Sequence, residues 1–169
     1  MYDFHFSDPA FTTFSILRQG WIAMNKAIEA KLAKLGLTPE QLAVLWACRD
    51  YPGTLIPAEI ARLLSRENQT IAGLLNRMER DGLITRSPKR KGQPFTAVKI
   101  TPKGEKLVEP GIEILQELVT EFGSGISQGD HEQAQNLIRI MRNKATEKLY
   151  MEPAIPIGVR IGEPVAVNW

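Results

Sequence analysis

Apolar residues recur along this chain with a helical period over most of its length, and with a period of two in one short central stretch. From Pro9 towards Gly36, Phe14, Leu17, Trp21, Met24, Ile28 and Lys31 or Leu32 are spaced three or four apart, the seam of a long helix packed along another. Asp8 caps this helix, Pro9 suits its first turn and Gly36 closes it. Such a seam covers more length than the small core of one lobe needs, so it is assigned to an interface. Thr38-Pro39-Glu40 opens the next helix, with Leu42, Leu45 and Trp46 as its buried stripe, and Pro52-Gly53 ends it. Thr54, Leu55 and Ile56 are placed as a short strand beside a hairpin further on.

The central stretch from Ile56 to Ile100 carries two short helices and that hairpin. Ile60, Leu63 and Leu64 mark the first helix, entered through Pro57; Ile71, Leu74, Leu75 and Met78 mark the second. The opposite face of the second helix holds Asn68, Gln69, Thr70, Gly73, Asn76, Arg77 and Arg80. Asn, Gln and Arg are the side chains whose paired donors and acceptors match adenine and guanine edges in a major groove. Gly82 stops the helix where a left-handed cap is wanted. Leu83 to Ser87 and Phe95 to Thr101 then read as two strands, the latter from the alternation of Thr96, Val98 and Ile100 with Ala97 and Lys99. Lys89, Arg90 and Lys91, with Gln93, sit at the tip between them, where adjacent cations call for a negative partner such as a phosphate backbone. Helix, turn, helix and hairpin in this order define a winged helix-turn-helix.

After the hairpin, Thr101-Pro102 starts a helix whose apolar residues, Leu107, Val108, Ile112, Ile114, Leu115, Leu118, Val119 and Phe122, are too many for one face and imply two partners. Pro110-Gly111 is expected to bend or break it. Gly123 and Gly125 end it, and Ser127 to Asp130 reads as a capping box with Asp in the Glu position. The last helix carries Ala134, Leu137, Ile138, Met141, Ala145 and Leu149 among basic residues. In the tail, Ile155, Ile157, Val159, Ile161, Val165, Val167 and Trp169 alternate between prolines and glycines, the pattern of an extended strap with one apolar face. It is expected to pack across the terminal helices. The chain thus divides into an aromatic arm and helix over 1–36, a winged-helix lobe over 37–104, helices over 105–150 that join the first in a dimerisation domain, and the tail over 151–169.

Charge sharpens this division. The net charge is only +2, but Pro57 to Leu107 holds 11 Lys and Arg against 5 Asp and Glu, a surplus of six, while the rest of the chain is acidic. The single cysteine, Cys48, excludes an internal disulfide and lies in an apolar run, where a small buried hydrophobe is the expected role rather than a redox sensor. No apolar run is long enough to span a bilayer, and a cytoplasmic, soluble protein is expected. No Gly-rich phosphate loop, metal-ligand spacing or nucleophile with a histidine partner is present, so neither an enzyme nor a cofactor is expected. His131, isolated on the last helix, is read as a surface residue rather than a metal ligand.

Three blocks carry a family resemblance: Leu37-Thr38-Pro39-Glu40-Gln41, Arg77-Met78-Glu79-Arg80-Asp81-Gly82-Leu83-Ile84-Thr85-Arg86, and Ile100-Thr101-Pro102-Lys103-Gly104. At these residues the chain resembles the MarR family of bacterial transcription regulators. The resemblance implies a homodimer that binds double-stranded DNA on a pseudo-palindromic operator, acting as a repressor and released by a small aromatic ligand. Arg18, Trp21, Met24, Trp46 and Arg49 are the residues expected to line such a ligand pocket. Three departures stand out, the first being Gly73, which sits where relatives often carry a long DNA-contacting side chain. Gly92, Gln93 and Pro94 occupy the place of the family's Asp-x-Arg wing element, and Glu67 replaces the small cap of the recognition helix. The competing reading is a winged-helix module for RNA or protein partners, marked by weak, salt-insensitive binding to DNA.

Overall fold

The computed structural model describes residues 6–87 and 96–149. The expectations for the aromatic start up to His5, for the wing tip with Lys89, Arg90, Lys91 and Gln93, and for the tail fall outside the described residues. Within them the protein is mainly α with one two-stranded antiparallel sheet, as the hydrophobic pattern predicts.

Helix α1 runs over Pro9–Leu32, capped by Asp8 Oδ1, which accepts from the Ala10 amide at 2.8 Å. A single 3-10 turn comes next, and Gly36 at φ +69° ends it with the Leu37 amide reaching back to the Leu32 carbonyl. Helix α2, Pro39–Asp50, starts from a full capping box: the Gln41 amide donates to Thr38 Oγ1 and the Thr38 amide to Gln41 Oε1. Its burial goes beyond the predicted stripe. Leu42, Val44, Leu45 and Ala47 are all buried because α1, α5 and the sheet surround it, while Trp46 stays half-buried.

Helix α3 covers Pro57–Leu63 and α4 covers Asn68–Arg80. The turn between them passes through Ser65, which sits at φ +50° in the left-handed region. The Arg66 amide donates to the Ala61 carbonyl and the Ser65 amide to Arg62, so Ser65 holds the position at which glycine usually ends a helix. A β-carbon there costs about 1 kcal/mol. Ser65→Gly is therefore expected to stabilise the fold by about 0.5–1 kcal/mol, read as a higher urea midpoint at unchanged slope. A lower midpoint would contradict this account of the turn.

Strand β1, Ile84–Arg86, pairs antiparallel with β2, Val98–Ile100, in the register Ile84 to Ile100 and Arg86 to Val98. Both strands are shorter than predicted for a local reason. Leu83 is consumed by the turn after α4 and Thr101 by the cap of the next helix. Thr54 to Ile56 forms no strand, though the Val98 amide donates to the Leu55 carbonyl at 2.9 Å.

Helix α5, Pro102–Phe122, runs through Pro110 without the break that was one of the two expected outcomes there. Val108, Gly111 and Ile112 around that proline are buried, and Gly111 lies so close to α2 that a β-carbon there would stand 2.5 Å from Leu42 Cδ1. This packing carries the helix past the one missing amide. Helix α6, Gln128–Leu149, starts at Ser127, whose Oγ accepts from the Asp130 amide at 3.2 Å. The Asp130 carboxylate accepts from the Ser127 hydroxyl at 2.6 Å rather than from a backbone amide, because its side chain is one carbon shorter than the box requires. His131 is half-buried against the Gly123 turn instead of lying free on the surface.

One core joins α1 through α5 and the sheet, with Leu32, Leu45, Ile60, Ile71, Leu75, Met78, Ile84 and Val108 at its centre. Leu32, not Lys31, continues the α1 seam inward. Towards the N-terminus the seam leaves the core: Phe14, Trp21 and Met24 are exposed, as are Leu137, Ile138 and Ile140 on α6.

Candidate nucleic-acid interface

Amphipathy fixes how α4 is presented. Ile71, Leu74, Leu75 and Met78 are buried, which turns Asn68, Gln69, Thr70, Asn76 and Arg77 outward together, with Gly73 half-buried between them. The helix ends in a tight left-handed turn at Gly82, φ +72°, with the Leu83 amide on the Met78 carbonyl and the Gly82 amide on Glu79. Glu67, at its start, makes no side-chain cap.

Two sets of contacts that leave no mark in the sequence pattern hold α4 against α5 and the wing. Lys103 Nζ donates to the Asp81 carbonyl at 2.7 Å and Thr101 Oγ1 to the Gly82 carbonyl at 2.7 Å, tying the start of α5 to the end of α4. At the root of the wing, Glu79 grips Arg86: its carboxylate accepts from the Arg86 amide and from Nε, both at 2.9 Å, and from Nη2. Glu79 lies at a helix end and Arg86 on a strand, so the periodicity of neither element marks this pair.

The Arg86 guanidinium and amide hold the Glu79 carboxyl below the usual carboxylate range, against a smaller opposing effect of burial. A depressed folded value stabilises the fold above the ordinary glutamate pKa of about 4.3. That stabilisation fades as pH falls through the lower folded value. Glu79→Gln is thus expected to lower stability at pH 7 and to lessen its loss on acidification to below pH 4, measured by urea melts at both pH values. An unchanged pH dependence would show that the pair contributes nothing.

The five residues expected around a ligand lie in two places. Arg18, Trp21 and Met24 are exposed along α1. Trp46 and Arg49 meet on α2 at Asp50: the indole N–H donates to Oδ2 at 2.7 Å and Arg49 Nε to Oδ1 at 3.0 Å. Arg49 Nη1 also reaches Glu109 Oε2 at 3.1 Å, bridging α2 to α5. A separate open groove of about 920 Å³ lies between the end of α2, the loop to α3 and the sheet, lined among others by Cys48, Tyr51, Leu55, Glu59, Val98 and Lys99. None of the five residues lines it. Burial pushes the Cys48 thiol up to about 12, so it stays protonated at neutral pH and lacks the thiolate a redox sensor uses.

A helix, a turn, an outward-facing second helix and a sheet anchored at its root make this a winged helix-turn-helix protein. Residues 35–92 match the model of the MarR family. The chain is 34% identical over 107 residues to the transcriptional regulator HosA of Escherichia coli O127:H6, an alignment covering 63% of this chain and 78% of HosA. Among solved structures it is similar to the DNA complex of MepR from S. aureus, at 27% identity and a TM-score of 0.69, covering 77% of this chain and 96% of MepR. It also shares the fold of the organohalide-sensing regulator RdhR in its 2,4-dichlorophenol-bound form, at 19% identity and a TM-score of 0.73, covering 85% and 89% of the two chains. The chain belongs to the MarR family of transcriptional regulators.

Proposed function

We propose that this protein is a homodimeric repressor that binds a pseudo-palindromic operator in double-stranded DNA and is released by a small aromatic ligand. The observation that carries the proposal is the single outward face of α4, on which Asn68, Gln69, Thr70, Asn76 and Arg77 stand together over a fully buried stripe. Such side chains give directional contacts to base edges, while the wing cations Lys89, Arg90 and Lys91 with Gln93 are assigned to the backbone. MepR, of the same fold, is solved on DNA.

Dimerisation is assigned to residues 1–36 and 105–150, because α1 and α6 expose the large apolar residues that nothing in the described chain covers. Two copies related by a twofold axis would set two α4 helices about one duplex turn apart. Ligand release is the family-level part of the reading and is supported by RdhR, whose structure holds a phenol. Arg18, Trp21, Met24, Trp46 and Arg49 are assigned to that pocket, where a ligand acts only through its different affinity for the DNA-competent and incompetent states.

Selection of random-sequence duplexes by the purified protein, at two salt concentrations and with its mass in solution determined, tests the proposal. An enriched inverted repeat bound by a dimer is the expected result. Salt-steep binding without enrichment would leave only electrostatic attraction, and weak, salt-insensitive binding would favour a module for RNA or protein partners. With the operator in hand, phenols and aromatic carboxylic acids are screened for release.

A further inference from the structure

Five arginines are described between residues 57 and 87, and four of them are committed to carboxylates of their own chain. Arg62 pairs with Glu59 at 3.1 Å, Arg66 with Glu40 at 3.5 Å, Arg80 with Asp81 at 3.6 Å, and Arg86 with Glu79. Among the described residues Arg77 makes no ion pair, although it is exposed on the outward face of α4. Its position is set by what is missing one turn earlier. A β-carbon on Gly73 would stand 3.7 Å from Arg77 Nη1, so the guanidinium lies back over the bare backbone of Gly73, in the direction helical side chains favour.

We propose that Gly73 and Arg77 act as one base-reading unit, in which the absence of a side chain at 73 seats the Arg77 guanidinium at the centre of the recognition face, where it reads a guanine. The inference rests on the DNA-binding reading above and adds to it which residue sets specificity, and for which base. A guanidinium carries a planar fork of donors that matches O6 and N7 of guanine and no other base edge in the major groove. Arg86, gripped by Glu79, would have to give up that partner first, whereas the exposed contacts of Arg66 and Arg80 at 3.5 and 3.6 Å hold them only weakly and leave the seat over Gly73 as what sets Arg77 apart. Gly73 has a second mark of purpose. An interior glycine weakens a helix relative to alanine, and a β-carbon at 3.7 Å is in ordinary contact, so folding does not require glycine here.

The test is selection and competition binding with the full-length protein and its Arg77→Ala, Gly73→Ala and Gly73→Leu variants, each checked by a thermal melt. Wild type is expected to enrich an inverted repeat with one dominant G·C pair per half-site. Arg77→Ala should lose roughly 10- to 100-fold discrimination at that pair alone and keep the other positions. Gly73→Leu, which fills the seat of the guanidinium with a good helix former, should lose preference at the same pair. Gly73→Ala should melt slightly higher, because a β-carbon there meets no clash, and should lose less of that preference than Gly73→Leu. If Arg77→Ala instead weakens all sequences evenly and flattens the salt dependence by about one unit, Arg77 is a phosphate contact and the proposal falls. If Gly73→Leu leaves the preference at that pair intact, Gly73 does not position Arg77 and the unit does not exist. Failure of wild type itself to enrich any sequence overturns the operator reading, and this proposal with it.

Discussion

Replacing Gly104 by alanine is expected to destabilise the fold by about 3 kcal/mol, the upper part of the range for overpacking a well-filled site. A β-carbon at 104 would stand 2.3 Å from the Leu83 carbonyl oxygen, 2.9 Å from Leu45 Cδ2 and 3.0 Å from Ile100 Cγ1. The first of these cannot move aside cheaply. The Leu83 carbonyl accepts from the Thr101 amide and from Thr101 Oγ1, both at 3.1 Å, so displacing it breaks the junction between α4, the sheet and α5. Alanine improves helix propensity by at most about 1 kcal/mol, which does not offset the clash. The melting midpoint should fall by roughly 6–12 °C. At Gly73 the same change meets no clash and should raise the midpoint, so the pair of variants separates packing from propensity. An unchanged midpoint for Gly104→Ala would mean that the junction is looser than these distances describe.

Gly104 also shows where sequence reading stops. The helices are legible because their signals are local: Asp8, Thr38 and Thr101 accept from amides two or three residues on, and the buried faces of α3 and α4 repeat within one or two turns. The outward face of α4 is legible for the same reason, since burying Ile71, Leu74, Leu75 and Met78 leaves only one side for the polar residues. Contacts between elements leave no such trace. Nothing near Gly104 in the chain announces the Leu83 carbonyl, and nothing near Arg49 announces Glu109, sixty residues away. Pro110 reads as a bend or a break, and the break does not occur because the rule for an isolated helix omits the packing on α2 that holds α5 together. Val44 and Ala47 lie outside the predicted stripe because a stripe describes one neighbour, and α2 has several.

The exposed seam makes the remaining strong prediction. On the dimer proposed above, Trp21→Glu should shift the protein from dimer to monomer at micromolar concentration while leaving the fold of each chain intact. Trp21 is 61% exposed in the single chain, so its replacement removes little packing there. Its stripe, however, is continuous with Ile28 and Leu32, which pack into the core, and its outer part has no cover among the described residues. In a twofold interface each substitution occurs twice. Losing burial of a large apolar side chain at both copies costs about 3–6 kcal/mol, a rise of about a hundred-fold or more in the dimer dissociation constant. A buried carboxylate adds to it. Leu137→Glu on α6, also 61% exposed, should act in the same direction if both helices contribute to one interface. Operator affinity should fall with the dimer, because one recognition helix then binds without its twin, whereas affinity for random DNA should change far less. Sedimentation across a concentration series checks the prediction. A variant that remains dimeric would place the interface elsewhere and leave the exposed tryptophan to another partner.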